Sequence, residues 1–208
     1  MQSTTSNHPV EFDVEYPERR LNRVSTLFRL VFALPILVVL AALGGPAFGG
    51  GGGDWLFFVG LASGMLVIPP MLTIVFREKY PRWWFDWNLE LLRFINRVGV
   101  YFALMDDRYP STDDHQAVRL ELPEPAGLNR WLPLVKWFLA IPHYIVLFFL
   151  YIGAFFVVIA AWFAILFTGR YPRGLFDYLV GVGRWHNRVV GYAFILVTDR
   201  YPPFQMAP

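Results

Sequence analysis

The stretch Trp137–Thr168, WFLAIPHYIVLFFLYIGAFFVVIAAWFAILFT, runs for 32 residues without one Asp, Glu, Lys or Arg. About 20 apolar residues suffice to cross the hydrocarbon core of a bilayer. A run this long therefore reads as a helical hairpin, with helices over 132–150 and 153–168 and a tight turn near Gly153. Working outward, Val24–Leu43 carries one charge, Arg29, near its start, and 55–76 supplies a second apolar helix after it. The expected fold class is a mainly α membrane protein with four transmembrane helices arranged as two tandem hairpins.

Composition agrees with a membrane setting. Hydrophobic residues make up 56% of the chain and charged ones 16%, against about 25% charged in a soluble domain. Cysteine is absent, which excludes disulfides, thiolate metal sites, iron–sulfur clusters and Cys-linked lipid. The first apolar segment is expected to be retained as an anchor.

The two hairpins belong to a repeated pattern. Leu21-Asn22-Arg23 recurs as Leu128-Asn129-Arg130, and Leu34-Pro35 as Ile141-Pro142. Phe76, Tyr80-Pro81-Arg82, Phe85-Asp86, Arg93 and Asn96-Arg97-Val98 recur as Phe167, Tyr171-Pro172-Arg173, Phe176-Asp177, Arg184 and Asn187-Arg188-Val189. Identities in one order imply internal duplication. The domains follow: an N-terminal tail 1–7, a first membrane repeat 8–112 with a Gly-rich loop 44–54, and a second repeat 115–204. Each repeat opens on an alternating segment, Val10, Phe12, Val14 and then Val118, Leu120, Leu122, whose period of two predicts a short half-buried strand. Tyr101–Met105 and Tyr192–Val197 close the repeats as runs too short for periodicity to decide. Pro35 and Pro142 are expected to kink their helices.

An amphipathic helix is predicted over 82–100 and again over 173–190. Asp86, Glu90, Arg93 and Arg97 share one face of the first, and Asp177, Arg184 and Arg188 of the second. Charges at mid-bilayer are costly, so both helices are expected to lie in the interface. The repeats would then be related by a pseudo-twofold axis along the membrane normal, with the short strands and both termini on the cytoplasmic side of a bacterial inner membrane. Lys79, Arg82, Arg93, Arg97, Arg170, Arg173, Arg184 and Arg188 are candidates to meet lipid headgroups or a partner. Asp86 and Asp177 are expected to form structural ion pairs or caps. Tyr80, Trp83, Trp84, Trp87 and Tyr171 are expected to anchor the interface.

At Arg170–Arg173, Phe176-Asp177, Arg184, Asn187-Arg188 and Thr198–Phe204 the chain resembles the bacterial membrane family DUF4389, in two tandem copies. The first copy departs at Lys79, at Trp83-Trp84 and in its Gly-rich loop. The resemblance implies a membrane protein and brings no activity or catalytic residues with it.

Candidate chemistry is sparse. His143 and His186 would be the haem ligands, but Ile36 and Ile95 replace them in the first half, so an interfacial His143 and a helix-surface His186 are the simpler reading. His8 and His115 precede the strands and are expected to face water. Asp177, His186 and Arg188 could form an acid–base group, but no nucleophile stands beside them. Gly49–Gly53 lacks the Lys-Ser/Thr of a phosphate loop. The spans hold little polar beyond Ser63, Thr73 and His143, which disfavours a transport path. The expected function is a non-catalytic integral membrane protein, a structural or accessory subunit of a larger membrane complex. Lipid binding or small-solute transport is the alternative, and a membrane enzyme stands behind both. No cofactor or metal is assigned. The expected partners are membrane lipids and a membrane protein or further copies of the chain, not nucleic acid.

Overall fold

The computed structural model describes residues 8–36, 38, 68–111, 116–125 and 127–207. The tail 1–7, the Gly-rich loop 44–54, His115, the end of the expected span 24–43 and residues 55–67 of the span 55–76 lie outside the described residues. In chain order the elements are strand β1 (Glu11–Val14), short helices α1 (Arg23–Leu27) and α2 (Arg29–Phe32), α3 (Ile68–Arg77), α4 (Arg82–Phe102), strand β2 (Val118–Glu121), α5 (Leu132–Leu139), α6 (Ile141–Thr168) and α7 (Arg173–Ala193).

The expected hairpin in Trp137–Thr168 does not form. Residues 141–168 are one unbroken helix of 28 residues, about 42 Å long at 1.5 Å per residue. Gly153 sits inside it. A single glycine costs a helix only about 1 kcal/mol, too little to open a turn between strongly helical neighbours. Each arm of the hairpin would also have been shorter than the roughly 30 Å of a bilayer core. The chain breaks instead at Ala140. Pro142 occupies the first turn of α6, where its missing N–H leaves no bond unmade, so it starts a helix rather than kinking one. Among the described residues α6 alone is long and apolar enough to cross a membrane. The four-helix transmembrane arrangement is thereby overturned.

α6 and α7 form an antiparallel pair closed by the left-handed Gly169. Ala161 and Ile165 share a core with Phe176 and Val180. Tyr178 donates to the Leu150 carbonyl (3.1 Å) and Tyr151 bonds His186 (2.6 Å). At the far end Tyr144 meets Phe194. α7 therefore runs beside α6 for its whole length.

The opposite face of α7 carries the strands. β1 and β2 come from different halves of the chain and pair antiparallel, with Phe12 opposite Leu120. Phe12, Val14 and Leu120 turn inward, and Asp13, Arg119 and Glu121 face outward. Phe12 rests directly over Gly183, and Arg184 bonds the Phe12 carbonyl (3.0 Å) and the Asp13 carboxylate (2.6 Å). The order is thus long apolar helix, amphipathic helix, charged ribbon. This overturns the expectation of a third helix with one face on lipid: α7 is sandwiched. The two undecided runs end α4 and α7 in left-handed Leu104 (φ 63°) and Leu196 (φ 62°), with Met105 and Ile195 donating back five residues to Val100 and Val190. Such αL caps satisfy the last carbonyls of a helix.

Candidate functional site

The most unusual surface is the outer face of α6. Ile145, Ile152, Phe156, Ile159, Phe163 and Phe167 recur at helical spacing and are each 40–78% exposed. They form one stripe along the helix. Trp131 before α5, Phe138 within it, and Val24, Phe28 and Val31 of the α1–α2 segment are likewise exposed. A contiguous apolar face of this extent marks an interaction surface.

Two buried cations sit in matching cages. Arg29 donates to the Asp106 carbonyl and the Asp107 carboxylate, both at 2.8 Å, and lies 4.1 Å from the centre of the Tyr101 ring. Lys136 is fully buried, donates to the Thr198 carbonyl (2.7 Å), pairs with Asp199 (2.8 Å) and stands over Tyr192 (5.1 Å). The same two carboxylates accept from the backbone N–H of Asn22 and Asn129, both at 2.6 Å. Burial lowers the Lys136 pKa, and Asp199 opposes that shift. Each carboxylate precedes an Arg-Tyr-Pro tripeptide, Arg108–Pro110 and Arg200–Pro202, whose Tyr109 and Tyr201 pack edge-on against Tyr101 and Tyr192. Sequence reading overlooked the cages. The signal was present as Arg29 and Lys136, one charge each in otherwise apolar surroundings.

The candidate basic residues divide into two groups. Lys79, Arg82, Arg170 and Arg173 are exposed, with Arg82 near Glu124 (3.4 Å) and Arg173 over the Tyr16 ring (4.3 Å). The other four are committed internally. Arg93 bonds Glu90 (2.6 Å) and the Leu120 carbonyl, and Arg184 bonds Asp13. Arg97 bonds the Ser111 carbonyl, and the buried Arg188 bonds the carbonyls of Gln205 and Ala207. Asp86 and Asp177 are exposed, and no ion pair or hydrogen bond reaches either among the described residues. The N-caps are Pro81 and Pro172. Their expected role as ion pairs or caps is therefore corrected: Glu90 and Asp13 take the arginines instead.

The aromatic anchors divide as well. Trp83 and Trp87 are exposed and Trp84 packs between them. Tyr80 and Tyr171 point inward. Their hydroxyls donate to the carbonyls of Ile195 (2.8 Å) and Ala103 (3.1 Å), and burial raises both phenol pKa values. These tyrosines brace one half of the chain against the other instead of reaching for headgroups.

His143 is buried, not interfacial. Its Nδ1 accepts from Trp185 Nε1–H (3.0 Å), and it stacks on Phe204 with centroids 4.0 Å apart. His186 and Tyr151 border an apolar cavity of about 330 Å³ between α6 and α7, walled by Leu147, Val189 and Phe194. No cluster of metal-ligating side chains occurs among the described residues. His8 is likewise buried, against expectation. Burial pushes its pKa down to about 4 from 6.5. The unfolded chain therefore binds the extra proton first, and stability falls as pH drops from about 6.5 towards 4. Melting curves in mild detergent across that window should show a declining midpoint, and His8→Leu should flatten the decline.

No curated protein and no solved structure matches the chain. From the start of α5 through the C-terminal segment that covers His143, residues 131–205 match the family described as "Domain of unknown function (DUF4389)".

Proposed function

We propose that this protein is a non-catalytic membrane protein, made of two tandem DUF4389 units, that serves as a structural or accessory subunit of a larger assembly in a bacterial inner membrane. The observation that carries the membrane reading is the exposed aromatic stripe of α6, backed by a polar ribbon two layers away. Removing a stripe of this size from water is worth about 25 cal/mol per Å², which makes lipid or a partner helix its natural cover. The two-unit reading is supported by the paired cation cages, by the paired tyrosine braces and by a central amide pair. In that pair Asn96 and Asn187, which correspond in the repeat, donate to each other at 2.9 Å in both directions. The accessory role is supported by the internal commitment of Arg93, Arg97, Arg184 and Arg188, which leaves the amphipathic helices as framework rather than as a reactive site.

Isolation from native membranes in mild detergent tests the reading. The chain is expected in the membrane fraction, and a stoichiometric partner or further copies of the chain should co-purify. A monodisperse protein without partner would defeat the accessory role, and release into the aqueous fraction by salt alone would defeat the membrane role. The cavity beside Tyr151 and His186 favours lipid binding as the second reading. Mass spectrometry of the purified protein would then show one retained lipid, lost in Leu147→Trp.

A further inference from the structure

We infer that α6 does not cross the bilayer but lies along it, its outer stripe sunk into one leaflet and the charged ribbon held above in water. This rests on the membrane reading and fixes the surface and its occupant: a single phospholipid leaflet.

The geometry comes from what stands abreast of the middle of α6. Tyr178 reaches the Leu150 carbonyl, its ring sits over Gly153, and His186 bonds Tyr151. Residues 178–186 of α7 are therefore level with the centre of the long helix. That same segment carries the ribbon, through Gly183 against Phe12 and Arg184 against Asp13. If α6 crossed, its centre would lie at the bilayer midplane and the ribbon would lie there too. Asp13, Arg119 and Glu121 have side chains 64%, 74% and 50% exposed. Arg119 pairs with Glu121 at 2.7 Å, but the pair faces outward with no further protein layer described over it. Each such charge at the midplane costs about 2.5–3.5 kcal/mol even on the mildest scales. Laid flat, α6 keeps all of them in water and sinks only the stripe, by about 5–10 Å.

Charge at the two ends points the same way. Arg170 is exposed just beyond the C-terminus of α6, and Arg130 with exposed Trp131 precedes α5. In a crossing helix one of these basic ends would face the translocated side, against the positive-inside preference. In a flat helix both sit at the headgroup level, where Arg170 meets lipid phosphate and Arg130 stays bonded to the Val75 carbonyl beside Glu78. The stripe is also continuous from end to end, as a helix in the plane requires. The amphipathic signal is hidden in α6 itself because its inner face is apolar too, being covered by α7. The polar face belongs to the packed unit and not to the helix.

The chain contains no cysteine, so single spin labels need no background substitution. Ile145→Cys, Ile152→Cys, Ile159→Cys and Phe167→Cys would be labelled in the full chain, reconstituted into phosphatidylcholine–phosphatidylglycerol vesicles. Depth would be read from the balance of oxygen and nickel-chelate accessibility. The flat helix gives one shallow depth at all four sites, and Arg119→Cys stays fully accessible to the chelate. A depth that peaks at Ile152 and falls away towards Phe167 means that α6 crosses; it overturns this inference and leaves the membrane reading standing. Labels that show no lipid contact at any site overturn both.

Discussion

Asp199→Ala should destabilise the protein by about 3–5 kcal/mol, the usual cost of leaving one member of a buried ion pair alone. Lys136 has no exposed surface, and its remaining partners would be the Thr198 carbonyl and the face of Tyr192. The Asn129 backbone N–H would lose its acceptor as well. Asp107→Ala removes the equivalent support from Arg29 and should cost a similar amount. The two variants should then part company at alkaline pH. With Asp199 gone, the carboxylate that opposes the desolvation lowering the Lys136 pKa is lost. Between that lowered value and about 10.5 the unfolded chain binds more protons than the folded one, so stability rises with pH. Arg29 cannot shed its proton, and Asp107→Ala should show no such recovery. Thermal melts of both variants in detergent from neutral to alkaline pH decide the matter. Identical pH profiles would mean that Lys136 is not the group left stranded.

Gly183→Val should cost about 1–3 kcal/mol, the range for overpacking a filled interior. A Cβ at this position would come within 2.6 Å of the Phe12 ring, which is itself buried between the ribbon and α7. The ring cannot withdraw without lifting β1, and with it the Arg184–Asp13 pair. Two other helical glycines give the control. Nothing lies within 4 Å of a Cβ at Gly99 or Gly174, so alanine there should raise stability by about 0.5–1 kcal/mol through helix propensity alone. Phe12→Leu should recover part of the loss in Gly183→Val while costing stability on its own, a non-additivity expected of touching residues. Equal effects at all three glycines would show that ribbon contact is not what Gly183 protects.

The sequence was most legible where periodicity is strong and local. The amphipathic pattern around Arg93 and Arg184 located α4 and α7 to within a few residues, and Phe12 and Leu120 announced short strands. What the pattern could not say is which elements share a layer. A stripe of charges looks the same whether it faces water, lipid headgroups or a strand, and Arg93 and Arg184 proved to face strand carbonyls. Trp137–Thr168 misled for a different reason. Length and apolarity report how much of a helix could be embedded, not where it bends, and Gly153 is too weak a breaker to decide alone. The cages around Arg29 and Lys136 were hidden because each joins residues more than 50 apart in sequence, Lys136 to Tyr192 being the nearest. Tyr80 and Tyr171 were placed at the interface by residue type, whereas their hydroxyl partners lie 115 and 68 residues away.

The interleaving of the two halves has a consequence for synthesis. Arg184 secures a strand 172 residues earlier, and the Tyr171 carbonyl receives the hydroxyl of Tyr16. β1 cannot close its side of the core alone: it waits for β2 as its pairing partner and for α7 as its floor. The emerging chain must therefore hold β1 unpaired until β2 has left the ribosome, and the ribbon uncovered on its inner face until α7 has followed. Contacts this distant in sequence make the final assembly slow, and exposed edges on the waiting half invite misassembly. Early capture of that half by the membrane or by the insertion machinery would keep it apart from its neighbours until α7 arrives.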